Sequence, residues 1–173
     1  MTSSHTLGPA DGDLLLFTTA EGKAARLGHA LTLRVADWQA TVELDGDAAV
    51  SVVLTAQLAS LEVLAGKGGV KPLSDKDKRS ILDSAGKTLD VSKYPVLTYT
   101  SSSIEPGYVV HGTVDLHGST QPLDVAVTVD GSSVAAEATL GQRSFGISPY
   151  SQMMGALQVG NDVAVRLTVT ISR

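Results

Sequence analysis

The sequence predicts an all-β fold: an eight-stranded antiparallel barrel with one short helix and an apolar cavity. Three observations carry this. Apolar and polar residues alternate with period two through most of the chain, turn-forming clusters separate the alternating runs, and one segment near the middle carries helix signals instead. About eight strands with polar outer faces suit a closed barrel or a sandwich, because closure leaves no unpaired edges. Aromatic residues make up 4% of the 173 residues, and Phe17, Trp38 and Phe145 are the only Phe and Trp among them. An interior lined by Val, Leu and Ala leaves space that Phe and Trp would fill, which favours a barrel with a cavity over a solid core.

Residues 1–12 (MTSSHTLGPADG) lack apolar alternation and are expected to form a flexible tail, with His5 in it, ahead of a single domain over residues 13–173. His29, Leu31, Leu33 and Val35 share one strand face, and after a break near Asp37 the series Trp38, Ala40, Val42 and Leu44 continues, so a bulge or bend is expected there. Val50, Val52, Leu54, Ala56 and Leu58 form the next run, and Gly66-Lys67-Gly68-Gly69 the flexible loop after it. Residues 74–89 (SDKDKRSILDSAGKTL) open with a Ser-x-x-Asp capping box and place Ile81, Leu82 and Ala85 on one stripe, which predicts the helix. Three further runs follow: Tyr108, Val110, Val114 and Leu116; Leu123, Val125, Val127 and Val129; Val134, Ala136, Ala138 and Leu140. Residues 146–160 hold Pro149, Met153, Met154 and several Gly without clear period and are expected to act as a lid. The last run is the cleanest: Val163, Val165, Leu167, Val169 and Ile171. Asp45-Gly46-Asp47, Glu105-Pro106-Gly107, His117-Gly118-Ser119 and Asp130-Gly131-Ser132 separate neighbouring runs, as hairpins in a meander require.

Composition narrows the function classes. Thirteen Lys plus Arg against eighteen Asp plus Glu give a formal net charge of −5, without the clustered cations that bind phosphate backbones, so nucleic acid is not an expected partner. With no cysteine, disulfides, thiol nucleophiles and thiolate metal sites are excluded together. The first residues carry neither a basic stretch nor an apolar one, from which a cytoplasmic location is expected.

Local motifs give little chemistry. Ser84-Ala85-Gly86-Lys87 matches the Ser-x-x-Lys of acyl enzymes without its companion elements, and Gly86-Lys87-Thr88 resembles the end of a phosphate loop inside a helix signal, where Gly86 suits a helix C-terminus better. His111 and His117 lie six residues apart on the polar side of a strand, with no metal-ligand spacing, and are expected to face solvent. His29 differs, because its strand face is apolar: it points inward, to a ligand head group or to a buried backbone carbonyl. The acidic residues are scattered singly, with no acid–base pair. No catalytic residue, metal or cofactor is implied.

Four segments, taken in order and spacing, resemble the YceI-like family of lipocalin-like barrels that bind polyisoprenoid lipids: Gly28-His29-Ala30-Leu31 leading to Trp38; Lys93-Tyr94-Pro95-Val96-Leu97-Thr98-Tyr99; Val110-His111-Gly112-Thr113-Val114-Asp115-Leu116-His117-Gly118 running on to Pro122-Leu123; and Arg143-Ser144-Phe145-Gly146-Ile147. The chain departs from many relatives in having Thr88 and Leu89 where they carry a pair of Phe. Its Gly-Gly-Val-Lys-Pro-Leu-Ser-Asp and Pro-Tyr-Ser-Gln-Met-Met-Gly-Ala-Leu tracts look like a cytoplasmic branch.

The resemblance implies a non-enzymatic protein that carries or stores a lipophilic small molecule, an isoprenoid or quinone-like lipid, inside the barrel. Two other readings stay open: an enzyme for a small lipophilic substrate, and a stress-related or interaction barrel with a filled interior. The expected binding residues are His29 and Arg143 at the head group; Leu31, Leu33, Trp38, Tyr99, Val125, Val127 and Phe145 inside; and Tyr150, Met153, Met154 and Leu157 as an adaptable apolar rim. Such a ligand lives in bilayers, so loading implies transient membrane contact, with Gly146, Gly155 and Gly160 as hinges of the lid. The family commonly pairs, so the resemblance also implies a homodimer.

Overall fold

The alternating runs become strands of one antiparallel sheet in the computed structural model, which describes residues 1–172. In chain order the strands are β1 (Thr2–Leu7), β2 (Gly12–Phe17), β3 (Ala20–Glu21), β4 (His29–Val35), β5 (Trp38–Asp45), β6 (Ala48–Gln57) and β7 (Leu61–Gly68). The helix α1 (Asp75–Thr88) comes next, then β8 (Val96–Glu105), β9 (Val109–Leu116), β10 (Ser119–Asp130), β11 (Ser133–Gly141), β12 (Ser151–Gln152), β13 (Leu157–Val159) and β14 (Asp162–Thr170). Eleven strands form the main sheet in the order β1-β5-β6-β8-β9-β10-β11-β14-β2-β4-β7, and β12, β13 and β3 form a small separate sheet.

The count of eleven differs from the expected eight for identifiable reasons. The break near Asp37 bends one long strand into β4 and β5, and the short turn Leu58–Ser60 bends its partner into β6 and β7. Trp38 pairs with Ala56 on one side of the bend and Val35 with Leu61 on the other. Two backbone hydrogen bonds brace the corner, Ala36 N–H to Ser60 O at 3.1 Å and Gln57 N–H to Asp37 O at 2.9 Å. Because β5–β6 and β4–β7 lie at opposite ends of the strand order, this one bent hairpin ties the ends together and curls the sheet into a half-barrel.

Three segments depart from expectation. Residues 2–7 are not a tail: β1 pairs with β5 from Thr2 opposite Asp45 to Leu7 opposite Ala40. Its side chains are nearly all exposed, so it is held by backbone hydrogen bonds and leaves no apolar alternation to read. The first three residues of the expected Gly66–Gly69 loop instead end β7, with Lys67 opposite Ala30 and Gly68 opposite His29. Gly66 lets the chain approach closely, since a Cβ there would lie 2.5 Å from Leu73 Cδ1 and force that side chain to shift. In β2, Leu14, Leu15 and Leu16 run consecutively and hide the period of two.

Helix α1 begins as its sequence dictates. The Ser74 hydroxyl accepts from Asp77 N–H at 3.1 Å and the Asp77 carboxylate accepts from Ser74 N–H at 2.9 Å. The helix does not stop at Gly86. It continues to Thr88, with Leu89 as C-cap, and the chain turns away at Asp90, held left-handed with φ 49°. Asp tolerates that region because its short side chain can bond locally.

The interior holds two apolar clusters. Leu14, Leu33, Val35, Trp38, Ala40 and Val169 are among the residues of one, and Tyr99, Val110, Val114, Leu140, Phe145 and Ile147 among those of the other. Leu54, Leu97 and Val165 touch both. The accessible surface is 9977 Å², against about 8,000 Å² for a compact monomer of this mass. The surplus fits a half-open fold. Among the described residues, no helix is long and apolar enough to cross a membrane.

Candidate functional pocket

A pocket of about 520 Å³ opens where the curled sheet, α1 and the small β12-β13-β3 sheet meet. Its sheet wall comes from Leu16 on β2, Leu31 and Leu33 on β4, and Leu61 on β7; Leu97, Leu116, Leu140 and Phe145 line it from the second cluster. The helix presents Ile81, Ser84, Ala85 and Thr88 to it, an i, i+3, i+4, i+7 set that places one face of α1 on the pocket. From the small sheet come Ala20, Leu157 and Val159, while the exposed Leu27, Val70 and Tyr150 mark the mouth.

The Gly-His-Ala-Leu motif builds this wall. Gly28 packs closely against this wall: a Cβ would sit 2.6 Å from Leu157 Cδ1 and 3.2 Å from Ala20 Cβ, so both neighbours would have to shift. His29 Nε2 lies 2.8 Å from Lys71 O, and since a carbonyl only accepts, Nε2 carries the proton and donates. Of the two roles expected for His29, the backbone carbonyl is the one the structure provides. Gly69 lies against the imidazole: a Cβ there would be 2.4 Å from Nε2.

Several polar groups of the wall are already engaged. Thr18 Oγ1 accepts from Leu31 N–H at 3.1 Å, and Gln142 Nε2 donates to Gly160 O at 3.0 Å. The hydrogen bond from Ser74 N–H, followed by the Ser74 hydroxyl, holds the Asp77 carboxyl below the usual carboxylate range. Ser84 faces the pocket while Lys87 is exposed, so the Ser-x-x-Lys spacing assembles no pair there.

The predicted binding residues divide. His29, Leu31, Leu33, Phe145, Tyr150 and Leu157 line the pocket. Trp38 and Tyr99 instead lie buried in the two packed clusters, and Val125 and Val127 pack against the second of these. The Tyr99 hydroxyl donates between Val110 O at 3.3 Å and Leu123 O at 3.2 Å, and burial, then Asp124, pushes its pKa up to about 12. Arg143 is exposed, its backbone N–H held by Asn161 Oδ1 at 2.8 Å in a short turn that sends Phe145 inward and Arg143 outward. Met153 and Met154 stand in solvent beyond the mouth. Sequence reasoning missed the helix face, although the stripe of Ile81 and Ala85 carried its signal. Val70, Lys71 and Leu73 were missed because the segment before the helix has no period.

The histidines expected to face solvent do not lie free. His111 bridges strands: Nδ1 is 2.6 Å from Asp124 Oδ1 on β10 and Nε2 is 2.9 Å from Glu105 Oε1 on β8. These carboxylates, Asp124 first, raise its pKa. Among the described residues no group of side chains is arranged to hold a metal ion. His117 sits half-buried at the β9–β10 turn with φ 56°, its Nδ1 3.1 Å from Phe145 O and its ring 4.8 Å from that of Tyr94. Three of the four family-like segments, around Tyr94, His117 and Phe145, therefore meet at one place, which explains their joint occurrence structurally.

Comparison with known proteins agrees with this architecture. The YceI-like domain model matches residues 16–171. The structure is similar to that of Burkholderia cenocepacia BcnA, with a TM-score of 0.62 and 18% identity over 92% of this chain and 96% of that one. It is also similar to a mutant CJ YceI protein crystallised with a monobromobimane guest, with a TM-score of 0.59 and 12% identity over 82% of this chain and 84% of that one. No curated protein matches by sequence. With the family model covering most of the curled sheet and the pocket wall, the chain belongs to the YceI-like family.

Proposed function

We propose that the chain binds a lipophilic small molecule in the pocket beneath α1, as a carrier or store and without turning it over. The observation that carries this reading is the wall itself: leucines from β2, β4, β7, β8, β9 and β11 converge with Phe145 and with Ile81 and Ala85 of α1 on a volume of about 520 Å³. That is an ordinary size for a small-molecule site. Membership of a family known for binding lipophilic ligands supports it. Hydrogen bonds of Thr18, His29, Asp77 and Gln142 hold the wall in place around this volume.

Volume limits the ligand. At roughly 30 Å³ per water-sized group, and a methylene is close to that, the pocket takes about seventeen such groups. A prenyl chain of about three or four isoprene units fills it; a longer polyprenyl or quinone tail must leave through the mouth. Burial of each CH₂ is worth about 0.8 kcal/mol, close to fourfold in affinity. Displacement of a fluorescent apolar probe by prenyl alcohols of increasing length tests this directly. Affinity should climb with each isoprene unit and level off near four. No dependence on length would mean that the interior is not the binding site.

A further inference from the structure

The pocket mouth carries a surface that the bound ligand does not explain. Leu27, Val70 and Tyr150 line the pocket and are exposed, and Met153 and Met154, which follow the pocket-lining Gln152 in the chain, are exposed too, Val70 to 79% and Met154 fully. The chain presents the methionines by a costly route. Met153 and Met154 both sit in the left-handed region, at φ 54° and 57°, where a side chain of this size is disfavoured.

The segments that bear these side chains are neighbours. Ala24 N–H donates to Ala156 O at 2.7 Å, Gly28 abuts Leu157, Gly68 pairs with His29, and His29 bonds Lys71 O. Residues 22–33, 63–74 and 146–160 contain no Asp or Glu but carry Lys23, Arg26, Lys67 and Lys71, in a chain whose net charge is −5. All four cations are exposed, and among the described residues none takes part in an ion pair. The acids that flank these segments in sequence are Glu21, Glu62, Asp75 and Asp77, and Lys71 is near enough to Asp77 for its charge to help lower that carboxyl's pKa. Glu62 is held by Arg34 at 2.6 Å and Asp77 by the helix cap.

From this juxtaposition we propose that the mouth is a docking surface for an anionic bilayer, with the two methionines and Leu27 entering the headgroup region and Lys23, Arg26, Lys67 and Lys71 meeting lipid phosphates. Apolar insertion and attraction to anionic lipid add in peripheral binding, and each cation near the surface contributes about fivefold. The geometry places the mouth against the membrane, so a lipophilic ligand passes between bilayer and pocket without crossing water. The proposal deepens the ligand-binding reading and rests on it.

Flotation of the full chain with phosphatidylcholine vesicles, with and without phosphatidylglycerol, tests it. Binding should require phosphatidylglycerol and fall as salt is raised, since surface attraction is screened. The double variant Met153→Ser/Met154→Ser should bind about tenfold more weakly, because exposed side chains outside the core contribute to docking. Lys23→Gln/Arg26→Gln should lose about fivefold per cation, while Val129→Ser, an exposed apolar site remote in sequence, should change nothing. All variants should bind the fluorescent probe in solution, and release it to prenyl alcohols, like the parent chain. Absence of vesicle binding, or binding indifferent to both rim variants, overturns the proposal while probe displacement still reports on the pocket. A dimer that dissociates on the methionine substitutions, with no vesicle binding, also overturns it, because the occupant of the rim is then a second copy of the chain.

Discussion

The imidazole of His29 donates from Nε2 to the backbone carbonyl of Lys71 across 2.8 Å, and Gly69 lies over the same ring. This contact ties β4 to the segment that leads into α1, so it sets where the helix can sit over the pocket. Gly69 has φ +73°, a conformation costing about 1–2 kcal/mol for a residue with a Cβ, and its Cβ would also strike the ring. Gly107, with φ +93° and open space around it, isolates the backbone cost alone. Gly69→Ala should therefore destabilise more than Gly107→Ala in urea unfolding. Adding His29→Ala should recover part of the difference, a non-additivity expected only when two groups collide.

The helix cap gives a second prediction. Ser74 and Asp77 satisfy one another's backbone donors at the start of α1. Ser74→Ala should cost about 1 kcal/mol of stability. Because α1 also lines the pocket, hydrogen exchange should rise first in the amides of its opening turn.

Tyr99 lies across Gly112, where a Cβ would come within 2.7 Å of the hydroxyl and 2.4 Å of Thr100 O. Tyr99→Phe removes the bond shared between Val110 O and Leu123 O and should cost about 1 kcal/mol. Gly112→Ala should cost more, by about 1–3 kcal/mol of overpacking. Burial raises the Tyr99 pKa from 10.0 to about 12, so the unfolded chain loses this proton first as pH rises. Stability held below pH 10 should then fall between pH 10 and about 12 in the parent chain, and less so in Tyr99→Phe, as alkaline melting curves would show.

His111 gives a pH dependence on the outer face. Hydrogen bonds to Asp124 and Glu105 raise its pKa above the ordinary 6.5, so the protonated form favours the folded state. That contribution is complete below the ordinary value and disappears as pH rises through the raised one. Melting temperatures of the parent chain and His111→Gln should differ most below pH 6.5 and converge as the pH rises through the raised value. A constant gap across that range would show that the bridge acts through neutral hydrogen bonds alone.

Sequence carried the parts of this molecule whose burial is periodic. The Val163, Val165, Leu167 and Val169 face became β14 with those residues inward, the Asp37 break became the corner, and the Ser74 box capped the helix. Period-two reasoning failed where burial is absent or continuous, in the exposed β1 and in the Leu14-Leu15-Leu16 run of β2. Inward direction also proved insufficient to identify the pocket: Trp38 and Val127 point to the interior, yet the curl of the sheet packs them into the two apolar clusters and off the pocket wall. Arg143 and His117 depended on short turns, whose side-chain directions no periodicity encodes. Residues 146–160, read as an aperiodic lid, contribute two strands of the small sheet, and that order comes from pairing with β3 in a distant part of the chain.

The central claim is that a lipophilic molecule occupies the space beneath α1, and Ala85 is the helix residue whose enlargement blocks it with least disturbance, since it lines the pocket and is not part of the packed clusters. Native mass spectrometry of the parent chain and Ala85→Trp, each purified from the native host beside a heat-denatured control, measures occupancy directly. The parent chain should carry a stoichiometric lipophilic adduct of prenyl-chain mass, which the folded Ala85→Trp variant lacks. Equal adducts on both proteins, or none on the parent chain after exposure to prenyl lipids, would contradict the account.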